Sequence, residues 1–229
     1  MKKYLNVNNS LLALMLLVII SSCSKDDYYI DGGTSNPAFK GTMLQYLESN
    51  KAFDTIASIV KIAGLEKEFS QDDLTFFAPN DYSVKRALSE INAMAFTYGL
   101  DSVRKLDDIS PAIWRKTLMG YMFKGTNRMK DYPQLDLTLK SVYPGQNYFS
   151  YNKTMVNIGV NYNDINGIKY AGYRYIVFSF IPDYNSPNTW TSSFVISHDI
   201  KPTNGVVHAL ELMHSFGYLN FSTDVISTR

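Results

Sequence analysis

Asp199-Ile-Lys-Pro-Thr-Asn-Gly-Val-Val-His-Ala-Leu-Glu-Leu-Met213 reads as a turn that feeds a long strand. Pro202 stops a helix from running through it. Asn204-Gly205 is a turn signal, because both residue types tolerate positive φ. Beyond the turn the side chains alternate. Val206, His208, Leu210 and Leu212 share one face, and Val207, Ala209, Glu211 and Met213 share the other. His208 is polar among apolar neighbours and is expected to face a sheet interior. A buried imidazole without a partner costs a few kcal/mol. A backbone carbonyl or the Thr75–Asn80 segment is the expected partner.

A second landmark lies upstream, at Thr75-Phe-Phe-Ala-Pro-Asn-Asp81. Leu74 to Ala78 has the aromatic and β-branched content of a strand. Pro79 ends it, and Asn80 or Asp81 would cap the helix that follows. Together, Asn204-Gly-Val-Val-His208 and Thr75-Phe-Phe-Ala-Pro-Asn-Asp81 resemble the two sequence boxes of the fasciclin (FAS1) domain. The resemblance implies an α+β fold, a FAS1-like wedge of mostly antiparallel β-strands with packed α-helices. It implies that Thr75, Phe77, Pro79, Asn80, Asn204, Gly205 and His208 serve the fold. It also implies a non-catalytic binding or adhesion module with no cofactor. The family's Tyr-His pair is matched at Tyr121, but Met122 stands where the histidine would be. Asp199-Ile200 resembles the Asp-Ile pair that some animal FAS1 domains use for integrin contact.

The chain has 229 residues, 45% of them hydrophobic and 14% aromatic, enough for one sizeable core. The formal charge is +1. Removing residues 1–22 takes away Lys2 and Lys3 and no acid, which leaves 20 basic against 21 acidic side chains. No basic face is implied, so nucleic acid is not an expected partner. Cys23 is the single cysteine, which excludes an intrachain disulfide and a cysteine metal site. His198, His208 and His214 fit no zinc spacing. No nucleophile elbow, P-loop, dinucleotide fingerprint or zincin motif occurs.

The N-terminus reads as an export signal. Met1-Lys2-Lys3 is basic, and Leu11 to Ile20 is an apolar run of signal-peptide length. Ile20-Ser-Ser-Cys23 resembles a bacterial lipobox, which makes residues 1–22 a lipoprotein signal peptide and Cys23 the lipidated residue. Residues 23–40 read as a flexible tether, with Gly32-Gly33-Thr34-Ser35-Asn36-Pro37 at its centre. Ser24-Lys25-Asp26-Asp27 resembles a signal for display on the outer face of the outer membrane. The expected partners are the membrane, through the lipid, and an extracellular protein or glycan.

The domain is expected over residues 41–222. Helices are predicted from Thr42, from an Asn50 cap through Ala63 to Gly64, from Tyr82 to Asn92, and from Ser110-Pro111 to about Thr117. Residues 93–110 read as a loop. Strands are predicted at Leu118–Phe123, Leu135–Val142, Tyr148–Tyr151, Met155–Val160, Lys169–Ile181 and Trp190–His198. Residues near 161–192 read as an aromatic-rich insertion built on an extra hairpin. Tyr170, Tyr173, Tyr175, Tyr184 and Trp190 there have two readings: candidate binding residues, as a platform for sugar rings or a partner protein, or an extra layer of rings that covers the sheet. Two other classes stay open: a glycan-capture lipoprotein of a nutrient-uptake system, and a hydrolase with an unrecognised cleft. Ser102, in Asp101-Ser102-Val103, resembles an O-glycosylation signal of some Gram-negative envelope proteins, as does Thr55.

Overall fold

The computed structural model describes residues 37–183, 185–186 and 189–229. The predicted signal peptide, Cys23, most of the tether and Tyr184 lie outside the described residues.

The first half is mainly helical. Helix α1 (Met43–Ser49) starts in a capping box, in which Thr42 accepts from the Gln45 amide and the Gln45 side chain accepts from Thr42. Helix α2 (Asp54–Ile62) buries Ile56, Ala57, Ile59 and Val60, the predicted apolar stripe. Its cap differs from expectation. Asn50 ends α1, and the Asp81 carboxylate, 26 residues downstream, accepts from the Thr55 amide at 3.0 Å. Helix α3 (Glu66–Gln71) leads into strand β1 (Leu74–Ala78), which is wholly buried. Helix α4 (Asp81–Thr97) is capped by Asn80, whose Oδ1 accepts from Ser83 N at 2.9 Å. It runs past the predicted end into the stretch read as a loop. Helix α5 (Pro111–Met119) starts at the Ser110 cap, as its sequence predicts.

The second half is mainly sheet. Strand β2 (Met122–Lys124) is shorter and later than expected, because α5 continues to Met119. Strands β3 (Gln146–Phe149), β4 (Met155–Tyr162), β5 (Arg174–Phe180), β6 (Thr191–Ile200) and β7 (Gly205–Leu210) follow. Helix α6 (Tyr218–Ser227) closes the domain. The sheet has seven strands in the order β2-β1-β7-β6-β5-β4-β3. Only the β1–β7 pair is parallel, with Phe77 opposite His208.

Two strand expectations fail for physical reasons. Residues 135–142 form turns, because Asp136 Oδ1 accepts from the amides of Thr138 and Leu139 and holds the backbone out of a ladder. Residues 170–180 form no separate hairpin. Arg174–Phe180 is one strand of the main sheet, paired with β4 on one side and β6 on the other. Its inward residue Phe178 stacks on Phe77 at 4.7 Å, in the middle of the core.

Asn204 ties the two halves together. Its Oδ1 accepts from Met43 N at 2.7 Å, and its Nδ2 donates to Phe69 O at 3.2 Å and Asp72 O at 3.1 Å. Asn204→Ala leaves all three groups without this partner. A loss of about 3 kcal/mol is expected, read from urea unfolding midpoints against wild type.

Candidate functional site

The motif residues meet along the β1–β7 seam. Thr75 Oγ1 donates to Gly125 O at 2.6 Å and accepts from Asn127 N at 2.9 Å. The imidazole of His208 is fully buried and lies 5.0 Å from the Phe77 ring. Its Nε2 donates to Asn127 O at 2.9 Å, and its Nδ1 accepts from Asp199 N at 3.3 Å. Burial pushes its pKa down to about 4, so the ring is neutral at pH 7. Asn80 Nδ2 donates to Glu211 O at 3.0 Å, which joins the start of α4 to the end of β7. Pro79, between β1 and the Asn80 cap, is buried.

Tyr121 has a partner that no local pattern indicates. Its hydroxyl donates to His214 Nε2 at 2.7 Å and accepts from Gly217 N at 2.7 Å. His214 Nδ1 then donates to Ser193 Oγ at 2.7 Å. The histidine that pairs with Tyr121 thus lies 93 residues downstream. The three residues form a Ser-His-Tyr chain, but each is at most 3% exposed. Burial pushes His214 down to about 3 and Tyr121 up. A sealed serine beside so weak a base cannot meet a substrate. The chain is structural.

The predicted aromatic platform is divided. Tyr170 donates to Asp136 Oδ2 at 3.1 Å and meets Tyr143 edge-on at 5.2 Å. Tyr173 is 72% exposed, and its ring lies 5.8 Å from that of Tyr175. Tyr175 meets Phe194 edge-on at 5.3 Å. Tyr173, Tyr175 and Phe194, with Ile196 and His198, line an open trough of about 480 Å³. Trp190 stands apart, in a recess of about 570 Å³ beside Lys140, Gln146, Asn147 and Asn157.

A third cleft, of about 600 Å³, was not legible in sequence. Tyr151 N donates to Met122 O at 2.9 Å, so the segment after β3 reaches back to β2. The two edge strands of the sheet thereby border one cleft, lined by Phe123, Lys124, Tyr148, Phe149, Glu68 and Asp72. A strand at Tyr148–Tyr151 is predicted from sequence, but its meeting with β2 is not a local property.

No protein-family model matches the chain, and no curated protein matches it in sequence. Solved structures do match. One is a FAS1 domain pair from the insect cell adhesion molecule fasciclin I. The TM-score is 0.51 at 15% identity, over 81% of this chain and 52% of that one. The chain has a FAS1-like fold. It spans about half of the matched chain.

Within the FAS1-like fold, Asp199-Ile200 is largely engaged. Asp199 Oδ1 accepts from Met129 N at 2.8 Å. Burial would raise its pKa, but the His198 side chain and the Met129 amide pull it below the usual carboxylate range. Ile200 packs against the core. Asp108, Asp136, Asp164 and Asp183 are also held below that range, chiefly by the hydrogen bonds they accept, the opposite of what a general acid needs. In the cleft between the edge strands β2 and β3, Glu68 is paired to Arg115 at 2.6 Å. Among the described residues no cluster of three or more His, Cys, Asp or Glu side chains is placed to hold a metal. Ser102 is exposed, whereas Thr55 lies in α2.

Proposed function

We propose that the chain is a non-catalytic binding and adhesion module, displayed on the outer membrane by lipid on Cys23. The observation that carries this reading is the exposed aromatic trough of Tyr173, Tyr175, Phe194 and Ile196 on a FAS1-like sheet. Motif residues of the wedge are spent on internal hydrogen bonds, and the exposed rings are not. Apolar side chains held out to water on rigid strands suit capture of an extracellular partner. The lipobox-like Ile20-Ser-Ser-Cys23 supports the anchor.

Cells displaying the full chain are expected to adhere to a matrix- or cell-coated surface better than cells without it. Cys23→Ser is expected to move the protein from the membrane fraction to the soluble fraction and to abolish adhesion. A Tyr173→Ala, Ile196→Ala double variant is expected to stay membrane-bound and to lose adhesion by at least about tenfold. Unchanged adhesion in the double variant would remove the trough from the reading. Retention of Cys23→Ser in membranes would remove the lipid.

A further inference from the structure

The geometry points to a saccharide-binding recess at Trp190, on the outer face of the sheet and separate from the Tyr173 trough. The inference rests on the reading of the chain as a binding module and names a ligand class and a site for it. Its floor is Asn147 and Asn157, two members of a polar row that crosses four neighbouring strands. Asn147 on β3 is opposite Asn157 on β4, Asn157 is opposite Ser179 on β5, and Ser179 is opposite Ser192 on β6. Directly opposed residues share a sheet face. The other face of the same strands carries Val156, Ile158, Phe178 and Phe180 into the core.

Asn157 is the centre of the recess floor and is 2% exposed. Its Nδ2 donates to Pro144 O at 3.0 Å and Asn147 Oδ1 at 2.8 Å. A carbonyl can only accept, so Pro144 fixes which way the amide faces. Asn157 Oδ1 is then left with no hydrogen-bond partner in the protein. Gly145 has no side chain to cover it; a Cβ there would sit 2.6 Å from that oxygen. Trp190 Nε1, on the wall, is also buried without a partner. Buried polar groups left unpaired are costly unless something completes them.

The two orphans are one acceptor and one donor. A hydroxyl group is both at once, and a saccharide carries several on a ring whose C–H face packs against an aromatic plane. The indole of Trp190 is that plane, and the exposed amides of Gln146 and Asn147 stand at the rim. Among the described residues no carboxylate lines the recess, which disfavours a cationic ligand. Lys140 Nζ lies over one face of the Trp190 ring, 4.1 Å from its centre, so a sugar would pack against the opposite face. The volume of about 570 Å³ falls within the range of small-molecule sites.

The chain has two tryptophans, so 5-fluorotryptophan labelling of the full-length protein in detergent yields two ¹⁹F signals. Trp114 is the internal reference, since it is fully buried and its Nε1 donates to Leu106 O at 3.0 Å. The probes are oligosaccharides of neutral hexoses in one arm and of uronic acids in the other. The expected result is a saturable shift of the Trp190 signal in at least one arm, with the Trp114 signal unmoved. Gln146→Ala is expected to weaken binding several-fold, and Trp190→Ala by at least about tenfold by calorimetry. Tyr173→Ala is expected to bind as wild type. Silence of the Trp190 signal in both arms, meaning solvent alone completes the recess, overturns the proposal. So does wild-type affinity in Trp190→Ala. Loss of sugar binding in Tyr173→Ala alone would move the site to the trough and leave the binding-module reading standing.

Discussion

Gly205→Ala is expected to leave the protein unfolded. Gly205 opens β7 with φ at +150°, directly opposite Leu74 in the parallel β1–β7 pair. A Cβ at this position would overlap the carbonyl oxygen of Leu74 and sit 2.8 Å from its carbonyl carbon. Both obstacles are backbone, so no side-chain rotation relieves them. Moving β7 away breaks the pairing that carries Phe77 and His208 into the core. The loss should exceed about 4 kcal/mol, a large part of the roughly 5–15 kcal/mol of a whole domain. Gly99→Ala is the control. Gly99 also has positive φ, at +69°, but nothing lies within 4 Å of its added Cβ. It should cost only about 1 kcal/mol. Urea unfolding followed by circular dichroism separates the two. A Gly205→Ala protein with the midpoint of Gly99→Ala would show that β1 can retreat, and would end this account of the β1–β7 contact.

The protein is also expected to unfold in mild acid, because two histidines are buried in neutral form. His208 is depressed to about 4 and His214 to about 3, both by burial. In the unfolded chain each titrates near 6.5. Above that value both states are neutral and the stability is fully present. As pH falls below it, the unfolded state takes up protons that the folded state refuses. Each histidine then removes about 1.4 kcal/mol per pH unit, so the pair removes roughly 3 kcal/mol per unit. His208 levels off near pH 4 and His214 near pH 3. The accumulated loss by pH 4 is comparable with total domain stability. Unfolding free energy measured from pH 7 to pH 4 should therefore slope as two protons. His208→Gln and His214→Gln should each slope as one, whatever their stability at neutral pH. A flat wild-type curve over that window would contradict the burial of both rings.

The contrast between these histidines shows where sequence reading works. His208 lies in a short apolar run that opens at a turn signal, so its burial follows from its immediate neighbours, in a strand buried on both faces. His214 follows β7 in an irregular stretch, and nothing nearby announces Tyr121 and Ser193. Asn80 reads as a cap because its partner, Ser83, is three residues away. Asn50 misleads because the cap of α2 comes from Asp81, across space. The aromatic segment near 170–180 illustrates the same limit. Its alternation was legible, but an alternation does not say which strands lie beside it. Phe178 therefore looked like part of a surface hairpin and is in fact a centre of the core.

By itself the sequence determined the local elements: β1 from Leu74 to Ala78, the Ser110-Pro111 helix start, and the alternation after Gly205. Those signals depend on neighbours within a few residues. The Trp190 recess, the Tyr173 trough and the cleft between β2 and β3 were decided only by tertiary structure. Each is lined from strands or turns far apart in the chain, and only the sheet order β2-β1-β7-β6-β5-β4-β3 brings them together. Pairing between distant strands is selected by the packing of the whole core, which no short window of sequence contains.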